Sequence, residues 1–261
     1  MMRRLLLAAL PLTLIAADQP PTPYLTARQM PDLTRILPAP PASGDPRAVD
    51  DRETFRATRS LAGTPRWTVA TRDVTDDRFT VFACAIGRKL DARSAPAIAR
   101  IFARMGDGGM VGRAKDGLAV RRPYLDQPGA ICEAKTAHLA GNGDYPSGHT
   151  SNGWSTALIL AELIPDRATQ ILRRGRQYGE SRYICGSHSR SAVEAGFMAG
   201  AVLVSRLHAD QAFRADMDRA RAEIGRQRVP DNNQLEAVCR EQVTSTPLFR
   251  LPSGQRRAAM L

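Results

Sequence analysis

From residue 50 onward the apolar positions fall at helical spacing, and no convincing alternation of apolar and polar residues marks a strand. Residues 95–105 show that spacing clearly, and Gly106-Asp107-Gly108-Gly109 ends the run. Residues 151–163 predict a strong helix stopped by Pro165. Asp166 then caps a helix to about residue 178, with arginines late in it and Gly179 after it. Residues 191–207 read as an apolar helix and residues 210–224 as an amphipathic one. Two further helices are expected over residues 50–61, closed by Gly63 and Pro65, and over residues 75–85. Residues 112–148 are rich in Gly and Pro with little periodicity and read as a long loop, a kind of segment that is usually functional. The pattern predicts an all-α fold.

The N-terminus follows a different pattern. Arg3 and Arg4 precede an apolar run over residues 5–17, and Ile15-Ala16-Ala17 offers small residues before a polar stretch. The run is shorter than the ~20 residues that span a bilayer, so residues 1–17 are read as a secretory signal peptide. Residues 18–46 are Pro-rich and predict an extended arm. The helical domain is expected over residues 47–230 and a C-terminal tail over 231–261. No later stretch is long and apolar enough for a membrane span, since Glu194 and Arg206 interrupt residues 192–207.

Composition adds three points. Aromatics are only 5% of the 261 residues, so the core must rest on Leu, Ile, Val and Ala. The net charge is +11, and Lys89, Lys115 and Lys135 are the only lysines among the basic residues. The arginines are scattered among acids without aromatic interleaving. This favours a solvated basic surface that helps collect anions over a nucleic-acid partner. Cys84, Cys132, Cys185 and Cys239 form no CxxC, which leaves zinc and thioredoxin chemistry without support. An even number in an exported chain suggests two disulfides, with three connectivities open.

Three segments carry candidate chemistry: Lys115 to Arg122-Pro123, Tyr145-Pro146-Ser147-Gly148-His149-Thr150, and Ser181-Arg182 to His188. A Pro-Ser-Gly-His turn before a helix leaves backbone N–H groups free to meet an anion, and Gly148 permits close approach. Lys115, Arg122 and Arg182 can neutralise phosphate oxygens. His149 can exchange a proton and His188 can attack phosphorus as a neutral imidazole. Such a set meets the demands of phosphoryl transfer without a metal.

The pattern Lys-x6-Arg-Pro, Pro-Ser-Gly-His, Ser-Arg-x5-His resembles the signature of the phosphatidic acid phosphatase type 2 superfamily, which also holds vanadium haloperoxidases. Asp51-Arg52, Phe55, the run Thr58 to Trp67, the run Phe82 to Gly87, Gly153-Trp154 and Ile184-Cys185-Gly186 are similar to the bacterial class A non-specific acid phosphatases. The likeness runs over about residues 25–225. The resemblance implies a single helical-bundle domain of the acid phosphatase/vanadium haloperoxidase type. It also implies hydrolysis of small phosphate monoesters, no cofactor and no metal, inhibition by vanadate or phosphate, and a periplasmic or secreted location. It assigns phosphate binding to Lys115, Arg122, Ser147, Gly148 and Arg182, general-acid duty to His149 and the phosphohistidine nucleophile to His188. It pairs Cys84 with Cys132 and Cys185 with Cys239. A homo-oligomer is compatible with the sequence.

One family feature is missing. The usual His-Trp-Gln-Ser-Asp is here His188-Ser189-Arg190-Ser191-Ala192, without the aspartate that orients the nucleophile. Glu194 would face away on a helix; a backbone carbonyl, a water or Glu180 could serve instead. Activity is therefore expected to fall on the order of 10²–10⁴ below a complete relative. Asp144 is a second departure, standing where many relatives have a small residue before Tyr-Pro. It reads either as an anion that raises the pKa of His149 or as a solvent-facing loop acid. A catalytically degenerate phosphate-binding protein of the same fold is the alternative. A haloperoxidase, a lipid phosphatase with several membrane spans and a nucleic-acid module are each less well supported by these residues.

Overall fold

Side-chain caps and prolines set where the helices begin. The computed structural model describes residues 21–226 and Cys239; the expected signal peptide (1–17) and, apart from Cys239, the expected tail (231–261) lie outside the described residues. Its α-helices are α1 (Pro46–Arg59), α2 (Pro65–Arg72), α3 (Arg78–Ile86), α4 (Pro96–Arg104), α5 (Met110–Leu118), α6 (Pro123–Asp126), α7 (Ala137–Gly141), α8 (Gly148–Leu163), α9 (Ala168–Cys185), α10 (Arg190–Leu207) and α11 (Gln211–Arg226). No strand is present among the described residues. Asp45, Thr64, Asp77, Ser147 and Ser189 each accept a backbone N–H at the start of a helix.

Several expectations need correction, among them Asp166 as a cap, since Arg167 stands at the start of α9 and no side chain caps it. Pro65 was expected to close a helix, yet it opens α2 at the first helical position, where its missing N–H costs nothing. The expected loop over 112–148 holds α5 and the short α6 and α7; glycines at 112 and 117 dilute the α5 pattern, but Met110, Val111, Ala114 and Lys115 form its buried face. Gly179 does not end α9. It lies inside the helix where a Cβ would meet the Phe197 ring at 2.6 Å, and the true stop is Gly186 in the left-handed region (φ 88°).

α8 is the central rod, packed most extensively against α9 and α10, while α1, α2 and α3 cover α9 and α4 lies on α11. The α8–α10 contact is close because glycines remove side chains from it. A Cβ at Gly196 would lie 2.7 Å from the Ser147 carbonyl oxygen, and one at Gly200 2.7 Å from that of Ser151. The N-terminal arm is tied down: Tyr24, Leu25, Leu33 and Leu37 are buried, and the Tyr24 hydroxyl donates to Asp216 of α11 at 2.7 Å. The Tyr145 hydroxyl, just before α8, donates to the Pro38 carbonyl at 2.7 Å.

The disulfides are Cys84–Cys239 and Cys132–Cys185, so the expected pairing is corrected. The physical reason is the path of the segment after α6. It folds back on the end of α9, where the Cys132 amide donates to the Cys185 carbonyl at 3.2 Å and the two Cα atoms stand 4.8 Å apart.

Two glycine substitutions are expected to part in sign. Gly200→Ala forces a methyl against α8 backbone and lowers the unfolding free energy by about 1–3 kcal/mol. Gly112→Ala, with open space around its Cβ, raises it by about 0.5–1 kcal/mol. Urea denaturation of both variants checks the pair.

Candidate functional site

The residues singled out from sequence arrive from five places. Lys115 comes from α5 and Arg122 from the residue before α6. Ser147, Gly148 and His149 start α8. Arg182 comes from the last turn of α9, and His188 from the loop between α9 and α10. Lys115, Arg122, Arg182 and His188 are all buried. Their charges act on one another: burial and then the charges of Arg122 and Arg182 push the Lys115 ammonium down to about 8.

Asn142, not marked in the sequence, ties two of these cations. Its side-chain oxygen accepts from Lys115 Nζ at 2.8 Å and its carbonyl from Arg122 Nε at 2.7 Å. Arg122 Nη1 donates to the Ser187 carbonyl at 2.8 Å and lies 3.2 Å from His188 Nε2. Arg182 Nη2 pairs with Glu133, a second residue the sequence reading passed over, which also accepts from the Ser187 hydroxyl. Arg182 Nε and Nη1 are buried without an acceptor. Two guanidinium donors held away from water and protein oxygens form a place for an anion.

Ser147 caps α8: its Oγ accepts from the Thr150 amide at 3.3 Å, and its own amide donates to the Ala192 carbonyl at 2.9 Å. The amides of Gly148 and His149, in the first helical turn, have no intrahelical acceptor. The His149 ring stacks on Tyr178 with centroids 4.4 Å apart. Its Nε2 lies 2.5 Å from the Asp73 carbonyl oxygen and its Nδ1 3.3 Å from Asp76 Oδ1. Burial holds His149 below the usual histidine range, while the Asp76 carboxylate favours its charged form; the same contact lowers Asp76 to about 2. His149 and His188 do not bond to one another, but the charge of Arg182 reaches both rings.

His188 Nδ1 lies 2.8 Å from both the carbonyl oxygen and Oδ1 of Asp144. Asp144 is therefore neither a solvent-facing acid nor a neighbour of His149; it is 1% exposed and faces His188. Burial pushes its carboxyl up to about 6, although the hydroxyl and amide of Ser189 donate to it. Burial and then the charges of Arg122, Lys115 and Arg182 hold His188 well below the usual range, so the ring rests neutral. Glu180, considered as a stand-in from the sequence, pairs instead with Arg176 at 3.5 Å. Glu194 pairs with Arg190 at 2.9 Å, as its place on the helix required.

Arg59 of α1 holds the loop that carries His188. Its guanidinium lies over the rings of Phe55 and Trp67, at 4.6 and 5.0 Å from their centroids. It donates to the carbonyls of Ile184 at 2.6 Å and Cys185 at 3.1 Å, at the negative end of α9. Asp51, also on α1, accepts from the amide and hydroxyl of Ser191 at 2.8 and 2.6 Å, on the far side of the same loop.

The PAP2 superfamily model matches residues 97–215, the stretch that holds every phosphate-pocket candidate. An acid phosphatase of Zymomonas mobilis is 41% identical over 210 residues, 78% of this chain and 80% of that protein. Non-specific acid phosphatases of Salmonella typhimurium and Providencia stuartii are 33% and 32% identical over 76% and 84% of this chain. The chain belongs to the acid phosphatases of the PAP2 superfamily. Arg59, Asp73 and Asp76 precede the segment matched by the superfamily model, yet they hold the loop that carries His188 and the ring of His149 in this PAP2 chain. No helix among the described residues is long and apolar enough to cross a membrane.

Removing the Arg59 guanidinium leaves the α9 carbonyls without their donor. Arg59→Met is expected to lower the unfolding free energy by about 1–3 kcal/mol, read by chemical denaturation.

Proposed function

We propose that this enzyme hydrolyses phosphate monoesters through a phosphohistidine at His188. The observation that carries the reading is the buried cluster of Lys115, Arg122 and Arg182 around a neutral imidazole, with two Arg182 donors unpaired. With Nδ1–H directed to Asp144, the lone pair of His188 is on Nε2, where it accepts from Arg122 Nη1 at 3.2 Å, and attack requires that Nη1 turn from the ring to a phosphoryl oxygen.

In the proposed sequence the three cations and the amides at the start of α8 hold the phosphoryl oxygens. His188 Nε2 forms a bond to phosphorus as the ester P–O bond breaks, and the departing oxygen takes a proton from the His149 imidazolium. Water then gives a proton back to His149 and attacks phosphorus, the Nε2–P bond breaks, and inorganic phosphate leaves. Both ring nitrogens of His149 are engaged, so delivering its proton requires release from Asp73 or Asp76. The cations supply the charge neutralisation of the transition state, so the proposed reaction proceeds in the presence of a chelator. The substrates are small monoesters, and vanadate and phosphate compete for the same cations. Two disulfides support a periplasmic or secreted location.

Trapping tests the reading. A monoester labelled in its phosphoryl group, quenched in alkaline detergent, is expected to leave label on the parent and none on His188→Ala. Turnover with no label on His188 would favour another nucleophile. Phosphate binding without turnover would favour the degenerate binding protein.

His149 is tested by leaving group and pH. His149→Ala is expected to slow alkyl phosphates more than p-nitrophenyl phosphate, whose phenolate departs without a proton. The acid must be protonated, and Asp76 stabilises the protonated form, so Asp76→Asn is expected to move the alkaline limb of kcat/KM for alkyl phosphates to lower pH. A pH–rate profile reads the shift.

A further inference from the structure

Three departures from the family pattern meet at one point in the structure. Asp144 Oδ1 lies 2.8 Å from His188 Nδ1, and Asp144 Oδ2 accepts from the Ser189 hydroxyl at 2.5 Å. That hydroxyl also accepts from the Ala192 amide at 3.2 Å. The residue before Tyr145, the residue after the nucleophile and the residue four beyond it thus share a single cluster, joined across 44 residues of chain. We propose that Asp144 is the positioning residue of His188: from the segment before α8 it supplies the carboxylate that position 192 lacks.

The assignment rests on His188 being the nucleophile, and its chemistry follows from the geometry. The backbone carbonyl of Asp144 also stands 2.8 Å from Nδ1, so it can hold the ring tautomer by itself. Charge is what the carboxylate adds. When Nε2 bonds to phosphorus the ring changes from neutral to cationic, inside a field of Lys115, Arg122 and Arg182 that opposes a positive imidazole. Asp144 is the carboxylate in contact with that ring. It is itself buried, held by Ser189 and His188, and a carboxylate taken from water to such a place costs stability unless its charge is used. Ser189 fits the arrangement, since its hydroxyl and amide both donate to the carboxylate while the hydroxyl caps α10. Ala192 is fully buried with its carbonyl taken by the Ser147 amide, so the carboxylate and residue 192 are neighbours through Ser189.

Steady-state kinetics on p-nitrophenyl phosphate test this in the full-length protein, with melting temperature and inorganic phosphate affinity measured alongside. Asp144→Asn keeps the shape and removes the charge; its kcat is expected to fall by about 10²–10⁴-fold with KM and phosphate affinity nearly unchanged. Asp144→Ser is expected to fall similarly, and Asp144→Ser with Ala192→Asp to recover at least about tenfold over it. Ala192→Asp alone crowds two carboxylates at one buried imidazole and is expected to lower activity. Asp144→Asn at the parent rate, beside an inactive His188→Ala, overturns the role of Asp144 and leaves the nucleophile standing. So does a folded, phosphate-binding double variant no faster than Asp144→Ser. An active His188→Ala overturns the nucleophile itself. Should the Asp144 variants not fold, the imidazole nitrogen spectrum of the parent decides: His188 protonated on Nδ1 with a strongly deshielded proton supports the assignment, and protonation on Nε2 overturns it.

Discussion

Confining three positive charges in one dry place is the constraint the rest of this structure answers. Lys115, Arg122 and Arg182 are buried close enough that Arg122 and Arg182 depress the Lys115 ammonium. Like charges brought out of water repel and lose hydration together. The chain offsets this with partial charges and two acids. Asn142 serves Lys115 and Arg122, the Ser187 carbonyl serves Arg122, Glu133 serves Arg182, and Asp144 lies at the edge of the cluster. The compensation is incomplete at Arg182, whose Nε and Nη1 are buried without an acceptor.

Such a cluster needs a rigid surround, since the charges would otherwise separate toward solvent. Glycines let α10 approach α8 until backbone oxygens set the limit. The end of α9 is held three ways: Arg59 on its carbonyls, the Cys132–Cys185 bridge on its last residue, and left-handed Gly186 turning the chain toward His188. Closing a loop of 53 residues by that bridge contributes about 4 kcal/mol in the chain-entropy picture. The stabilising devices thus gather around the loop that bears His188.

Much of this was legible in the sequence, and the failures have common causes. Long helices with periodic apolar faces, such as α8, α10 and α11, were placed to within a few residues at each end. The pocket residues were marked because Pro-Ser-Gly-His and the spaced cations are local words. Where one residue type serves two ends of a helix, local reading failed: Pro65 opens α2, and Gly179 packs inside α9. Pairings between distant segments were out of reach. Cys132 meets Cys185, and Asp144 meets His188, only because the chain after α6 folds back over the end of α9 and the start of α8 adjoins α10. Asn142 and Glu133 gave no signal, for they are ordinary polar residues until the cations arrive beside them.

The two imidazoles show how one fold gives two rings opposite surroundings. His149 is given Asp76, a 71% exposed carboxylate that favours the protonated ring, and a carbonyl of Asp73 that accepts its N–H. His188 is given burial and then three cations, which disfavour the protonated ring, and one buried carboxylate on Nδ1. At His149 the carboxylate of Asp76 works against the effect of burial; at His188 the cations add to it. An acid from another segment can meet the same nitrogen, since what touches Nδ1 here is a carboxylate supplied from the segment before α8. In this chain position 192 is alanine, and the carboxylate at Nδ1 comes from Asp144.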